Sequence, residues 1–256
     1  MPAASSLEMD LPASDRIFCA LDTDSRDDAL RLVSLLSPVL GSFKAGLQLL
    51  STVGPSIVDD LLRAGARRVF CDAKLCDIPN TVSGAMKALA RTGAYCVTVH
   101  ASIGSEGLNA AVDAAATGIH GGPRVLAVTL LTSISEQHLN SELGVPGTAR
   151  DYVIRMAQMA AGSGCHGAVA SPLEIAAVRE GVLKPGFLIV TPGVRPAGTD
   201  AGDQARVLSP AQAIAAGADF LVIGRPITSA PDPASAARDV VSEIESAFPQ
   251  HLQANH

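Results

Sequence analysis

The chain is 256 residues long, 48% apolar and only 3% aromatic, with no Trp, which suits one α/β core packed from Ala, Val, Leu and Ile. Its 19 Lys and Arg are spread along a chain of net charge −6, so no basic stripe exists to neutralise a nucleic-acid backbone. No segment reaches the roughly 18 uninterrupted apolar residues of a membrane helix, and the opening MPAASSLEMDLPASD lacks a cationic stretch leading into an apolar run; a soluble cytoplasmic protein is expected, with no nucleic-acid or membrane partner.

Residues 1–14 read as a flexible tail and 249–256 as a frayed end, leaving 15–248 as the single domain. Within it, eight short apolar runs predict strands at 16–21, 42–46, 68–72, 95–99, 124–129, 167–170, 187–190 and 219–223. Between them, helical spacing of apolar residues predicts helices such as 27–40, 55–64, 83–91, 150–161 and 210–216, several closed by a Gly. Strands apolar along their length and joined by helical crossovers imply a parallel sheet covered on both faces. Eight such units in about 250 residues fit a closed (β/α)₈ TIM barrel better than an open doubly wound sheet. The five cysteines, Cys19, Cys71, Cys76, Cys96 and Cys165, form no C-x-x-C pair and are odd in number, so they read as reduced thiols, mostly buried, without chemistry.

Barrels of this kind place their chemistry at the C-terminal strand ends and in the loops that follow. In chain order this rule selects Asp22, Lys44, Asp72 with Lys74, His100, Thr132-Ser133, the run from Thr191 to Arg195, and Gly224-Arg225. His100 reads as a structural residue and is left off the catalytic set. The sharpest signal is Asp72-Ala-Lys74-Leu-Cys-Asp77-Ile-Pro-Asn-Thr81. Residues two apart on a strand share a face, so Asp72 and Lys74 are expected to point together into the barrel mouth, with Ala73 packing outward. A lone D-x-K is most often a plain salt bridge; here Lys44 at a neighbouring strand end and Asp77 in the next turn add further charge to one small space.

These motifs resemble those of the bacterial-type orotidine 5′-phosphate decarboxylase family. The resemblance runs from Ala20-Leu21-Asp22 through the D-x-K-x-x-D-I-P-N-T stretch to the loop Thr191–Gln204 and on to Val222-Ile-Gly-Arg-Pro226. D-x-K-x-x-D alone is shared by related sugar-phosphate decarboxylases; the I-P-N-T extension and the long loop are more specific. The family often has Phe-His or Arg-His where this chain has Leu75-Cys76, at positions with no proposed proton transfer.

The resemblance implies conversion of orotidine 5′-phosphate to UMP, the last step of de novo pyrimidine nucleotide synthesis, with no metal and no organic cofactor. It implies that Lys44, Asp72, Lys74 and Asp77 form an alternating charge array in which Lys74 protonates C6 as CO₂ leaves. It also implies a homodimer in which Asp77 and Thr81 complete the partner's site. Asp22 matches the family's ribose-hydroxyl acceptor, Ser133 the group reading the pyrimidine amide edge, and Pro192 the residue packed on the ring. Arg225, the Gly224 backbone and Gln204 match its phosphate ligands, with Arg195 beside them, on a loop from Gly193 to about Arg206 expected to close over the substrate. Two other readings stay open. One is a Mg²⁺-dependent 3-keto-gulonate-phosphate decarboxylase or hexulose-phosphate synthase of the same barrel group; the other is a non-catalytic nucleotide-binding barrel.

Overall fold

A computed structural model describes residues 11–196 and 208–247. The chain runs β1 (Ile17–Leu21), α1 (Arg26–Leu36), β2 (Ser42–Ala45), α2 (Leu47–Val53), α3 (Ile57–Arg63), β3 (Arg68–Leu75), α4 (Pro79–Leu89), β4 (Cys96–His100), α5 (Gly104–Ala115), β5 (Arg124–Val128) and α6 (Glu136–Ser141). It continues through α7 (Ala149–Gly162), β6 (Gly167–Val169), α8 (Ile175–Gly181), β7 (Leu188–Pro192), α9 (Pro210–Ala215), β8 (Phe220–Ile223), α10 (Arg225–Thr228) and α11 (Pro233–Ser246). All eight expected strands are present. Each pairs in parallel with the next, and β8 closes on β1 through Ile17–Leu221 and Phe18–Val222, so the expected (β/α)₈ barrel is borne out.

Two helix boundaries differ from the periodicity by four residues, both at prolines, and the others by one or two at most. The first helix was expected to reach residue 40 but ends at Leu36, since Pro38 has no N–H to donate back into the preceding turn. The helix expected from residue 83 begins at Pro79, because proline's fixed φ and missing N–H suit the first helical position. The Ile78-Pro-Asn-Thr81 stretch is therefore the entry and first turn of α4. Of the expected N-terminal tail, residues 1–10 lie outside the described residues, as do 249–256. Ala13–Asp15 form a short 3₁₀ helix with Ala13 and Asp15 buried.

Alternation sorts each strand into two faces. Outward residues such as Cys19, Phe43, Val69 and Val97 join the main core beneath the helices. Inward residues from the lower halves of the strands form a second cluster, led by Phe18, Phe70, Leu126, Leu188 and Phe220. Phe18 stacks 5.2 Å from Phe70 and 5.0 Å from Phe220, measured between ring centroids, and all three rings are essentially buried. Each is worth about 2–3 kcal/mol relative to exposure. Together they form an aromatic floor that fills the lower barrel and leaves the upper strand ends to carry polar groups.

Ion pairs fasten the lower rim. Burial would raise the carboxyl of Asp15, but hydrogen bonds from Arg67 and Arg68 outweigh that effect and hold it below its ordinary value. Asp219 likewise accepts from Arg179 and from the Ile189 N–H.

Candidate active site

Inward positions at the upper strand ends line a cavity of about 1000 Å³. Ala20 and Asp22 come from β1 and its loop, Lys44 from β2, Asp72 and Lys74 from β3, Val128 and Thr132 from β5 and its turn, Pro192 and Arg195 from β7 onward, and Gly224 and Arg225 from the β8–α10 junction. Phe70 of the aromatic floor forms its base.

Four charged side chains follow one another along its wall. Asp22 Oδ1 stands 3.3 Å from Lys44 Nζ, Lys44 Nζ stands 3.7 Å from Asp72 Oδ2, and the same oxygen accepts from Lys74 Nζ at 2.6 Å. Lys44 and Asp72 are buried, 8% exposed each, so their charges act on one another in a space largely closed to water. Asp22 and Lys74 reach toward the opening, with side chains 57% and 30% exposed.

The expected pairing of Asp72 and Lys74 in one mouth is met, but not by simple strand alternation. Cys71 pairs with Val97 and Leu75 with Val99, so Asp72, Ala73 and Lys74 stand opposite the single residue Thr98. This bulge puts Lys74 at φ +46°, a left-handed conformation that costs an L-residue about 1–2 kcal/mol. It turns the lysine tip back onto the Asp72 carboxylate.

Thr98, fully buried in β4, was missed in the sequence. Its hydroxyl donates to Asp72 Oδ1 at 2.9 Å and accepts from the Lys74 N–H at 2.9 Å. The signal was a polar residue at an inward position of the apolar run 95–99. Gly46 was missed as well: a Cβ there would lie 2.7 Å from Lys44 Nζ. At Gly224 a Cβ would lie 3.3 Å from the Ala20 Cβ and 3.4 Å from Asp22 Oδ2, so the absence of a side chain keeps the β8 loop close to Asp22.

Other expected site residues fall elsewhere. Asp77 and Thr81 are exposed and outside the cavity lining; Asp77 Oδ1 accepts from the Ile78 N–H at 2.7 Å at the start of α4. Ser133 also lies outside the lining, whereas Thr132, beside it in the turn that the Ile134 N–H closes onto the Leu131 carbonyl at 2.9 Å, is part of it. Gln204 and most of the loop from Gly193 to Arg206 lie outside the described residues.

Among the described residues no group of three His, Cys, Asp or Glu side chains stands together as metal ligands would, and no helix is long and apolar enough to cross a membrane. Cys19, Cys71, Cys96 and Cys165 are buried, while Cys76 is exposed. Burial pushes the thiols of Cys19 and Cys71 up to about 12, which makes both poor nucleophiles. His100 pairs with the Ser102 hydroxyl at 2.7 Å; burial, followed by the Lys74 charge, holds its ring below the ordinary histidine value.

Comparison with known proteins agrees with this geometry. Residues 15–240 match the model of the orotidine 5′-phosphate decarboxylase / HUMPS family. A protein of Moorella thermoacetica named orotidine 5′-phosphate decarboxylase is 48% identical over 91% of this chain and 93% of its own length. One of the same name from Heliobacterium modesticaldum is 46% identical, covering 91% and 97%. The crystal structure of orotidine 5′-phosphate decarboxylase from Lactobacillus acidophilus superposes with a TM-score of 0.78 at 36% identity, over 90% of this chain and 99% of that one. With the family model matched from the first strand into the last helix, the chain belongs to the orotidine 5′-phosphate decarboxylase / HUMPS family.

Proposed function

We propose that the protein removes the carboxylate of orotidine 5′-phosphate to give UMP, with Lys74 as the proton donor. The observation that carries this reading is the unbroken run Asp22–Lys44–Asp72–Lys74 along one cavity wall. The cavity itself is at the upper end of the range of about 300–1,000 Å³ usual for small-molecule sites.

Breaking the C6–carboxylate bond leaves an electron pair in the plane of the pyrimidine ring, where it is poorly delocalised. CO₂ departs as that pair forms, and an ammonium close by stabilises it and then transfers a proton to C6. Lys74 is left as a neutral amine and regains its proton from solvent, so the net reaction consumes one proton. Asp72 holds the ammonium by its Oδ2 and lies against the substrate carboxylate, a repulsion relieved when CO₂ leaves. Lys44 and Asp22 take the ribose hydroxyls.

Gly224 and Arg225 hold the phosphate, as a backbone N–H and a planar guanidinium suit an anion, with Arg195 on the neighbouring loop after β7 and Gln204 completing the set. Pro192 packs on the pyrimidine ring. Thr132 reads its amide edge in place of Ser133. Two chains pair as a homodimer, with Asp77 and Thr81 of each completing the other's site; their exposure beside the exposed Ile78 supports that reading. The reaction calls on neither metal nor organic cofactor.

The test is direct. Purified protein incubated with orotidine 5′-phosphate should bleach the orotate absorbance and release UMP, with EDTA making no difference. Loss of activity in EDTA, or turnover of a 3-keto-gulonate phosphate with Mg²⁺ and none of the nucleotide, would favour the sugar-phosphate reading. Nucleotide binding without turnover would favour a binding barrel.

A further inference from the structure

The bulge in β3 raises a positioning problem. Three residues, Asp72, Ala73 and Lys74, face one residue of β4, so the ladder cannot supply a regular partner for each backbone group in that stretch. Lys74 is also held at φ +46°, a conformation that persists only where surrounding contacts fix it. A long lysine on such a backbone would sample many positions unless both its root and its tip were held.

Thr98 holds both. Its hydroxyl is an acceptor for the Lys74 N–H, which fixes the root of the side chain. The same hydroxyl donates to Asp72 Oδ1, leaving Oδ2 as the oxygen that faces Lys74 Nζ and Lys44 Nζ. Thr98 has no exposed surface, so water does not compete for either bond. A hydroxyl is the smallest group able to donate and accept at one point, and an inward position on β4 leaves room for little else. We infer that Thr98 is a positioning residue for the reaction: it clamps backbone and carboxylate so that the Lys74 ammonium meets the reacting carbon, without touching substrate itself.

The inference rests on the decarboxylation reading above. Steady-state kinetics of Thr98→Ser, Thr98→Ala and Thr98→Val should be compared with the parent on orotidine 5′-phosphate, together with UMP binding. The Ser variant keeps the hydroxyl and should stay within about threefold of the parent in kcat. The Ala variant lacks the same methyl and the hydroxyl too, so the Ser–Ala difference isolates the clamp; Ala and Val should lose about 30-fold or more in kcat. KM and the Kd of UMP should move less than about threefold, because the groups that bind the nucleotide are untouched. Should the Val variant fail to fold, the Ser–Ala pair decides alone. Ala turnover within about threefold of Ser, or a loss carried by KM rather than kcat, would overturn the inference while leaving the decarboxylase reading standing. A parent inactive on orotidine 5′-phosphate would overturn both.

Discussion

Gly46 faces Lys44 so closely that a Cβ on Gly46 would lie 2.7 Å from the lysine Nζ. The backbone of Gly46 is extended, at φ −92° and ψ −179°, so alanine fits there without backbone strain and acts only by pushing the ammonium aside. Gly46→Ala should therefore leave the melting temperature within about 2 °C and lower kcat/KM by about 10- to 100-fold. Unchanged kcat/KM would mean that Lys44 does its work over a range of positions.

Lys74 combines an uncomfortable backbone with the ammonium proposed as proton donor. Lys74→Ala and Lys74→Gly both remove the ammonium, and kcat in both should fall by at least about 10³-fold. Their stabilities should differ in the order opposite to most strand positions: the Gly variant should be more stable by about 1 kcal/mol, because only glycine takes φ +46° freely. Urea unfolding of the pair checks this, and an Ala variant as stable as the Gly variant would show that the bulge relaxes once the lysine is gone.

Arg225 lines the cavity at the start of α10, on the β8 loop that Gly224 keeps close to Asp22. Phosphate binding energy spent far from the reacting carbon raises kcat/KM by holding the substrate in place. Arg225→Ala should lower kcat/KM by about 100-fold or more, and a value within about twofold of the parent would remove Arg225 from the phosphate site.

A mixing experiment tests the proposed sharing of sites between subunits. Lys74→Ala and Asp77→Ala are each expected to be inactive, yet a dimer holding one of each contains one intact site if Asp77 serves its partner. Random reassociation should then restore about a quarter of parental activity. No recovery in verified mixed dimers would assign each site to a single chain.

Acid should weaken the fold through His166. Burial, then Lys184 and Arg124, lower its ring to about 4, and Nδ1 accepts from the Val125 N–H at 3.1 Å. An unfolded histidine titrates near 6.5, so between these values the unfolded chain binds a proton that the folded one refuses. Stability from this source is complete above about pH 6.5 and is lost as pH falls toward 4, by about 2 kcal/mol between pH 7.5 and 5.0. Urea midpoints at those two pH values should differ accordingly, and the difference should shrink in His166→Gln. An equal acid loss in that variant would place the sensitive group elsewhere.

The barrel was legible because its strands are continuous apolar runs and its helices repeat at the expected spacing; the largest shifts of helix ends lie at Pro38 and Pro79, which act locally. Much of the charge run was legible too, since Asp22, Lys44, Asp72 and Lys74 each occupy a strand end. Thr98 was not, because a threonine inside an apolar strand looks like an ordinary β-former; only the two-residue slip of β3 against β4 puts it across from Lys74. Thr132 and Ser133 could not be told apart, as the choice depends on which of two adjacent hydroxyl residues the turn after β5 directs inward. Gly46 carries no chemistry of its own, and its meaning lies entirely in the neighbour it leaves room for.

The Phe18, Phe70 and Phe220 floor gives the cavity the shape of a blind well. Among the described residues the floor leaves the rim as the way in and out, so gas and nucleotide depart on the side where the next molecule arrives. A departing UMP and an arriving orotidine 5′-phosphate thus compete for the same well, and the product should act as a competitive inhibitor.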